Sequence, residues 1–293
     1  MNSGLFYAAL AYTAWGFLPV FFKQLSNVNA FEVVLHRMLW SLVFLLCVLV
    51  VLKRWAWLRD LTRQPRVLLA FAVSALLLSV NWTVYVWAVQ NAHMLDASLG
   101  YFILPLVNVA IGFIFLRERP RSGQWLAVAV AAAGVLWLTV QAGRLPWVAL
   151  ALAITFGIYG LLRKLAKLGA LEGLTLETLL LSPFALALLA WWAWHGQGAL
   201  VQGDPATWGW LLLAGPVTAI PLLLFAAGAR RLPMATLGIL QYISPSLQVL
   251  LGVWLYGEAF ELARAIGFYL IWIALVLYSA DSFWNARKQL FNR

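Results

Sequence analysis

Cysteine is all but missing from this chain, with Cys47 alone among 293 residues. A single thiol excludes a disulfide framework and a thiolate metal site, so Cys47 is read as a packing residue and no metal or other cofactor is expected. Charge is scarce at 10% of residues, and acid is the scarcer sign, with 10 Asp and Glu against 20 Lys and Arg. The acids are scattered, with no HExxH and no paired-aspartate motif, which leaves a membrane-embedded enzyme on a lipid-linked substrate only as an alternative. Long polar stretches are missing as well. The longest are the basic segment from Lys53 to Arg66 and HGQGALVQGDPAT at 195–207, and neither could fold as a soluble domain. Work done by such a chain is done inside a bilayer or across it.

What the chain has instead is apolar surface. Hydrophobic residues make up 64% of it, and mean hydropathy is +0.89. Runs of about 20 apolar residues, each long enough to cross roughly 30 Å of hydrocarbon as a helix, lie at 4–22, 31–52, 67–89, 94–116, 123–140, 146–162, 174–194, 207–227, 234–256 and 262–280. Barrel strands would give short alternating segments, so the expected fold is an all-α membrane protein with ten transmembrane helices. The first run lacks a basic leader and a cleavage site and is read as a retained helix.

The net charge of +10 would suggest nucleic acid in a soluble protein, but its distribution points elsewhere. With the N-terminus inside, the inner segments hold 16 of the 20 Lys and Arg; Lys23, Arg144 and Arg264 lie outside and Arg37 within a span. The positive-inside rule then places both termini in the cytoplasm. Trp55, Trp57, Trp147, Trp191, Trp192, Trp194, Trp208 and Trp284 stand near run ends as an interfacial belt would. The expected partners are the lipid bilayer and a small molecule, with no nucleic acid, and the chain is read as a monomer or homodimer.

The second half repeats the first. Residues 94–118 align without a gap on 234–258, with Met94, Ile103, Pro105, Val109, Gly112 and Glu118 meeting identical residues at an offset of 140. A proline within an apolar helix, a glycine seven later and a terminal acid form a rare arrangement to find twice. Each half holds five runs, and an odd number makes the second copy enter from the opposite side. The expected organisation is two inverted five-helix repeats, 1–140 and 146–281, followed by a cytoplasmic tail at 282–293.

Ionisable groups at membrane depth cost roughly 2.5–3.5 kcal/mol each on insertion scales. Glu32, His36 and Arg37 cluster at the start of the second run. Glu32, like its counterpart Glu177 in the seventh, is either a first-turn acid favoured by the helix dipole or a site residue. His36 either titrates near neutral pH and takes part in proton exchange or is a hydrogen-bonded packing residue. Arg37 is too deep to reach water easily and is expected in an internal ion pair or on the cargo. Polar and aromatic residues form a second set: Asn81, Trp82 and Tyr85; Tyr101 and Asn108 around Pro105; Gln241, Tyr242, Ser244, Ser246 and Gln248 around Pro245. Proline frees a carbonyl one turn back, so helix discontinuities flanked by carboxamides are expected at both prolines, lining a cavity or closing a packed kink. Trp15 and Tyr159, each followed by glycine, either line the same cavity or let helices approach. Asp96 is read as a cap or a site residue, and Glu118 and Glu258 as structural acids engaging a neighbouring basic residue or the start of the following helix.

AYTAWGFLPVFFK in the first run, EVVLHRMLWS in the second, NWTVYVWAV in the third and LGYFILPL around Pro105 resemble the RarD branch of the EamA group in the drug/metabolite transporter superfamily, over essentially the whole chain. The resemblance implies a bacterial inner-membrane permease of secondary-transporter type, and the chain is read as a proton-coupled or gradient-driven transporter that exports small metabolites, amino acids or drug-like amphiphiles such as chloramphenicol-type compounds. Substrate contacts would come from Trp15, Glu32, His36, Arg37, Asn81, Tyr85, Tyr101, Asn108, Tyr159, Gln241, Tyr242 and Gln248, with proton coupling through Glu32 and His36. A non-transporting membrane partner protein is the remaining alternative.

Overall fold

A computed structural model describes residues 2–61, 64–90, 94–142, 147–256 and 262–291. The described residues are helical nearly throughout and include no strand. The first span is split between α1 (Asn2–Gly16) and α2 (Leu18–Lys23), and the second is α3 (Ala30–Leu52). A short α4 (Ala56–Leu61) precedes α5 (Pro65–Gln90), α6 (Met94–Leu116), α7 (Ser122–Ala142), α8 (Trp147–Leu165) and α9 (Ala170–Trp194). The turn α10 (Ala199–Gln202) leads into α11 (Pro205–Ala229), the ninth span is divided into α12 (Met234–Gln241) and α13 (Ile243–Tyr256), and α14 (Leu262–Phe291) closes the chain. Nine helical runs among the described residues are long and apolar enough to cross a membrane, and Ala265–Asp281 forms a shorter tenth.

Local chemistry sets the ends. Asn29 begins α3 by accepting a 2.9 Å hydrogen bond from the Phe31 amide, and Asp204 begins α11 by accepting one of 2.7 Å from Thr207. Thr207 binds Asp204 through its side chain as well as its amide, and together these hold that exposed carboxyl below the usual aspartate range. Lys53 ends α3 in the left-handed conformation at φ 52°, its amide returned to Leu49 and Val50. Residues expected as a free tail continue α14 as far as Phe291.

The proline expectation is corrected in part. The ninth span does break, at Tyr242, three residues before Pro245, but α6 runs unbroken through Pro105. The Tyr242 hydroxyl donates to the Phe102 carbonyl at 3.2 Å, next to the Tyr101 carbonyl that Pro105 leaves without its helical donor, so a neighbouring helix adds a donor within that turn. The first span breaks instead, at Phe17, just ahead of Pro19.

Helix pairing follows a pattern that survives exchange of the two halves. α1 packs on α11 as α8 packs on α5, and α3 packs on α11 as α9 packs on α5. α6 meets α8 as α13 meets α1, while α3 with α9, α6 with α12 and α7 with α14 join equivalent spans directly. Lipid tails are as apolar as leucine, so helices associate here by close packing rather than by escape from water. Gly215 lets α11 seat against the backbone of Trp40, and a Cβ on Gly238 would lie 2.7 Å from the Pro105 carbonyl oxygen on α6. The centre is filled by Tyr12, Leu45, Leu78, Tyr159, Phe225 and Met234. Cys47 departs from its expected role, since it is exposed on the outer side of α3. There it borders a shallow apolar recess with Val43, Leu46, Val50 and Val51.

Candidate functional site

Arg37 and Glu32, expected to act as one cluster, face different ways. Consecutive helical positions are about 100° apart, and that rotation separates His36, on the side of Glu32, from Arg37. The Glu32 carboxylate, buried, accepts a 2.6 Å hydrogen bond from the Ala199 amide and stands 3.8 Å from His36 Nε2. It thereby pins the 195–203 loop to α3. His36 is also buried, and neither ring nitrogen has a hydrogen-bond partner, so the packing alternative read for it lacks its expected bonds.

Arg37 turns towards side chains of both halves, and the partial exposure that it keeps with four aromatic neighbours marks the crevice they border. Its Nε donates to Thr218 Oγ1 on α11 at 2.9 Å. The guanidinium carbon lies 4.9 Å from the centre of the Trp82 ring on α5 and 5.1 Å from that of Phe22 on α2, distances at which a cation is drawn to a ring face. Tyr85 on α5 and Tyr101 on α6 stand with ring centres 6.1 Å apart, both within electrostatic reach of the guanidinium. Arg37, Phe22, Trp82, Tyr85 and Tyr101 are all half-buried, and Thr218 is buried. Among the described residues no carboxylate lies within ion-pair distance of Arg37; the internal pair with Glu32 does not form.

The remaining predicted residues divide by what they touch. Asn81 donates to the Leu152 carbonyl at 3.0 Å and to Thr155 Oγ1 at 2.9 Å, tying α5 to α8. Trp15 and Tyr159 sit with Phe156 and Phe225 in a central aromatic cluster, Tyr159 stacked on Phe225 with the ring planes 13° apart. Tyr242 is buried, stacks on Phe102, which stands at the equivalent position of the first half, and donates as described above. Gln248 Nε2 donates to the Trp15 carbonyl at 3.2 Å. That carbonyl is the one Pro19, lacking an N–H, leaves unmet four residues back, so the amide reaches across to repair the other helix's break. Asn108, beside Gly157 and Gly238, and Gln241 are buried, with Oδ1 and Oε1 respectively lacking a partner. Asn108 and Gln248 thus do not share one open cavity: the first is enclosed and the second is spent on a backbone. The side chain of Asp96 and all of Glu258 lie outside the described residues.

A second polar centre combines the buried Glu177 with an arginine that sequence reading passed over. Arg163 counts among the 16 basic residues of the inner segments, yet it is 1% exposed. Its Nη1 stands 3.5 Å from Glu177 Oε1, and Nη2 donates to the Ala170 carbonyl at 3.1 Å. Tyr159, one turn back on α8, donates to Glu177 Oε2 at 3.3 Å, Ser74 on α5 donates to Oε1, and Phe71 covers the guanidinium. The next residue, Lys164, approaches Glu118 Oε1 at 3.5 Å and donates to the Leu232 carbonyl. Glu118 also accepts hydrogen bonds from the Met234 amide at 2.7 and 3.0 Å. It engages both a basic residue and a helix start, as expected, but the start is that of α12 in the other half and not of the helix that follows. The one signal available in the sequence was the Tyr159–Arg163 spacing, which puts both on one face of a helix.

The sequence profile of the EamA-like transporter family matches the chain twice, at residues 2–140 and 145–280. An uncharacterized transporter of Pseudomonas aeruginosa is 44% identical over 99% of this chain and 97% of its own. Protein RarD of Escherichia coli K12 is 42% identical over 98% of this chain and 97% of its own. A solved crystal structure 20% identical in sequence superposes with a TM-score of 0.70, covering 94% of this chain and 98% of the other, and so shares the fold. With its family matched over nearly all of its length, this chain belongs to the EamA-like transporters.

Proposed function

We propose that this protein is a secondary transporter that exports small metabolites or drug-like amphiphiles across the bacterial inner membrane, coupled to protons, by alternating access. The moving parts are the inverted repeats 1–140 and 146–281, a reading supported by the twofold family match and by helix contacts that keep their pattern when the halves are exchanged. The observation that carries the reading is the Arg37 crevice. A guanidinium within a span, without a described acid, is in contact or electrostatic reach of Phe22, Trp82 and Tyr85 of the first half and hydrogen-bonded to Thr218 of the second. A cargo lodged there touches elements of both halves, so its binding can be felt by each when one rocks against the other. Proton coupling is assigned to the buried Glu32 and His36, 3.8 Å apart.

The test is counterflow in vesicles. Arg37→Ala and Trp82→Leu should each abolish exchange of any cargo the wild type carries, while Glu32→Gln or His36→Ala should flatten its pH dependence and leave binding measurable. Normal proton-driven exchange by a protein carrying Glu32→Gln, His36→Ala and Arg37→Ala together would rule the mechanism out.

A further inference from the structure

Resting on the reading of the Arg37 crevice as the cargo site, we infer that the cargo is a monocarboxylate carrying a compact apolar body. A guanidinium has five N–H donors in a planar fork. At Arg37 the Nε hydrogen is given to Thr218, and no described residue accepts from Nη1 or Nη2. Four donors on a full positive charge are therefore left without a described acceptor within a membrane span, where an unpaired charge is costly. The group that completes the site must bring negative charge in a form matching the fork, which a carboxylate does with two parallel hydrogen bonds.

The surroundings narrow the class further. Trp82 and Phe22 already have the guanidinium over them, which limits their use for a second cation. No described Asp or Glu lies within ion-pair distance of Arg37, so an ammonium on the cargo would enter the crevice unpaired. A phosphate monoester would bring more negative charge than one arginine balances. The Tyr85 and Tyr101 rings, half-buried and 6.1 Å apart, form walls suited to an apolar body beside the charged head. Thr218 acts as a positioning residue, fixing the guanidinium through Nε and leaving both Nη groups without a described acceptor.

The experiment uses the full chain in detergent, with thermal shift against phenylacetate, phenylacetamide, phenylalanine and 2-phenylethylamine, and counterflow in vesicles for whichever compounds bind. Phenylacetate should stabilise the protein, and the amide and amine should need concentrations about 10- to 100-fold higher for the same shift, as loss of a charge-assisted pair implies. Arg37→Gln should level the acid with the amide, and Thr218→Val should narrow the gap while leaving the protein folded. Binding of the amide, the amine or the zwitterion as tight as that of phenylacetate, or no response to any of the four, would overturn the carboxylate class. If such a compound loses binding in Trp82→Leu, the crevice stands as the cargo site and only the class falls. A compound bound equally well by wild type, Arg37→Gln and Trp82→Leu overturns the crevice itself.

Discussion

Arg37 and Arg163 show how much of a charged residue's role is decided by its surroundings. Arg37 declared itself by depth, since no snorkelling path is easy from two turns inside a span. Arg163 did not, because two residues from the end of α8 it could as well have reached water. Its burial follows from Gly173, which has no side chain to occupy the space the guanidinium takes, and from Phe71, Ser74 and Glu177 on two other helices. Removing one partner of a buried pair leaves the other charged and uncompensated, which costs about 3–5 kcal/mol. Glu177→Ala and Arg163→Ala should therefore each lower the thermal midpoint in detergent by more than Arg37→Ala does, because Arg37 has no described acid to strand. The apolar double substitution Arg163→Met with Glu177→Leu should recover most of the loss. A double variant no more stable than the worse single one would mean that the pair stabilises the fold in its own right.

At the scale of helices, the prolines were legible as trouble spots but their outcomes were not. Pro105, Pro245 and Pro19 each remove one donor, and each outcome depends on what a neighbour offers. A tyrosine hydroxyl tops up the turn before Pro105 and α6 stays whole, whereas at Pro19 the helix breaks and Gln248 satisfies the stranded Trp15 carbonyl. Gln248→Leu should cost about 1–3 kcal/mol, the penalty of a buried unsatisfied acceptor. Gln248→Glu replaces the amide donor with an acceptor that repels the carbonyl when ionised, so it should do worse than leucine at neutral pH and recover towards it on acidification. Equal thermal midpoints for the leucine variant and the wild type would show that water or another group serves the Trp15 carbonyl.

For the molecule as a whole, the membrane assignment rests on composition and the orientation on where arginine and lysine fall. Both termini should face the cytoplasm. A cysteine placed in the 195–207 loop, after Cys47→Ser, should react with an impermeant maleimide added to intact cells, and labelling only after the cells are opened would reverse the orientation and remove the inverted-repeat argument. Span positions and the repeat could be read from the chain because they depend on patterns that are local or periodic: a run of about 20 apolar residues has few alternatives to a helix in hydrocarbon, and a gapless match at an offset of 140 needs no coordinates. Which polar groups meet could not be read that way. Glu32 and Arg37 are five residues apart in sequence yet serve different elements, while Arg37 meets Thr218 and Gln248 meets Trp15 across the length of the chain. A hydrogen bond requires a few ångströms and a direction, and those are set by the rotation of each helix about its axis and by the glycines that let one backbone rest on another, as Gly215 does on Trp40 and Gly238 on Pro105. Hydrophobic pattern constrains that rotation weakly when lipid and protein interior are equally apolar, so only the packed bundle decided that Arg37 would face a crevice and Arg163 an acid.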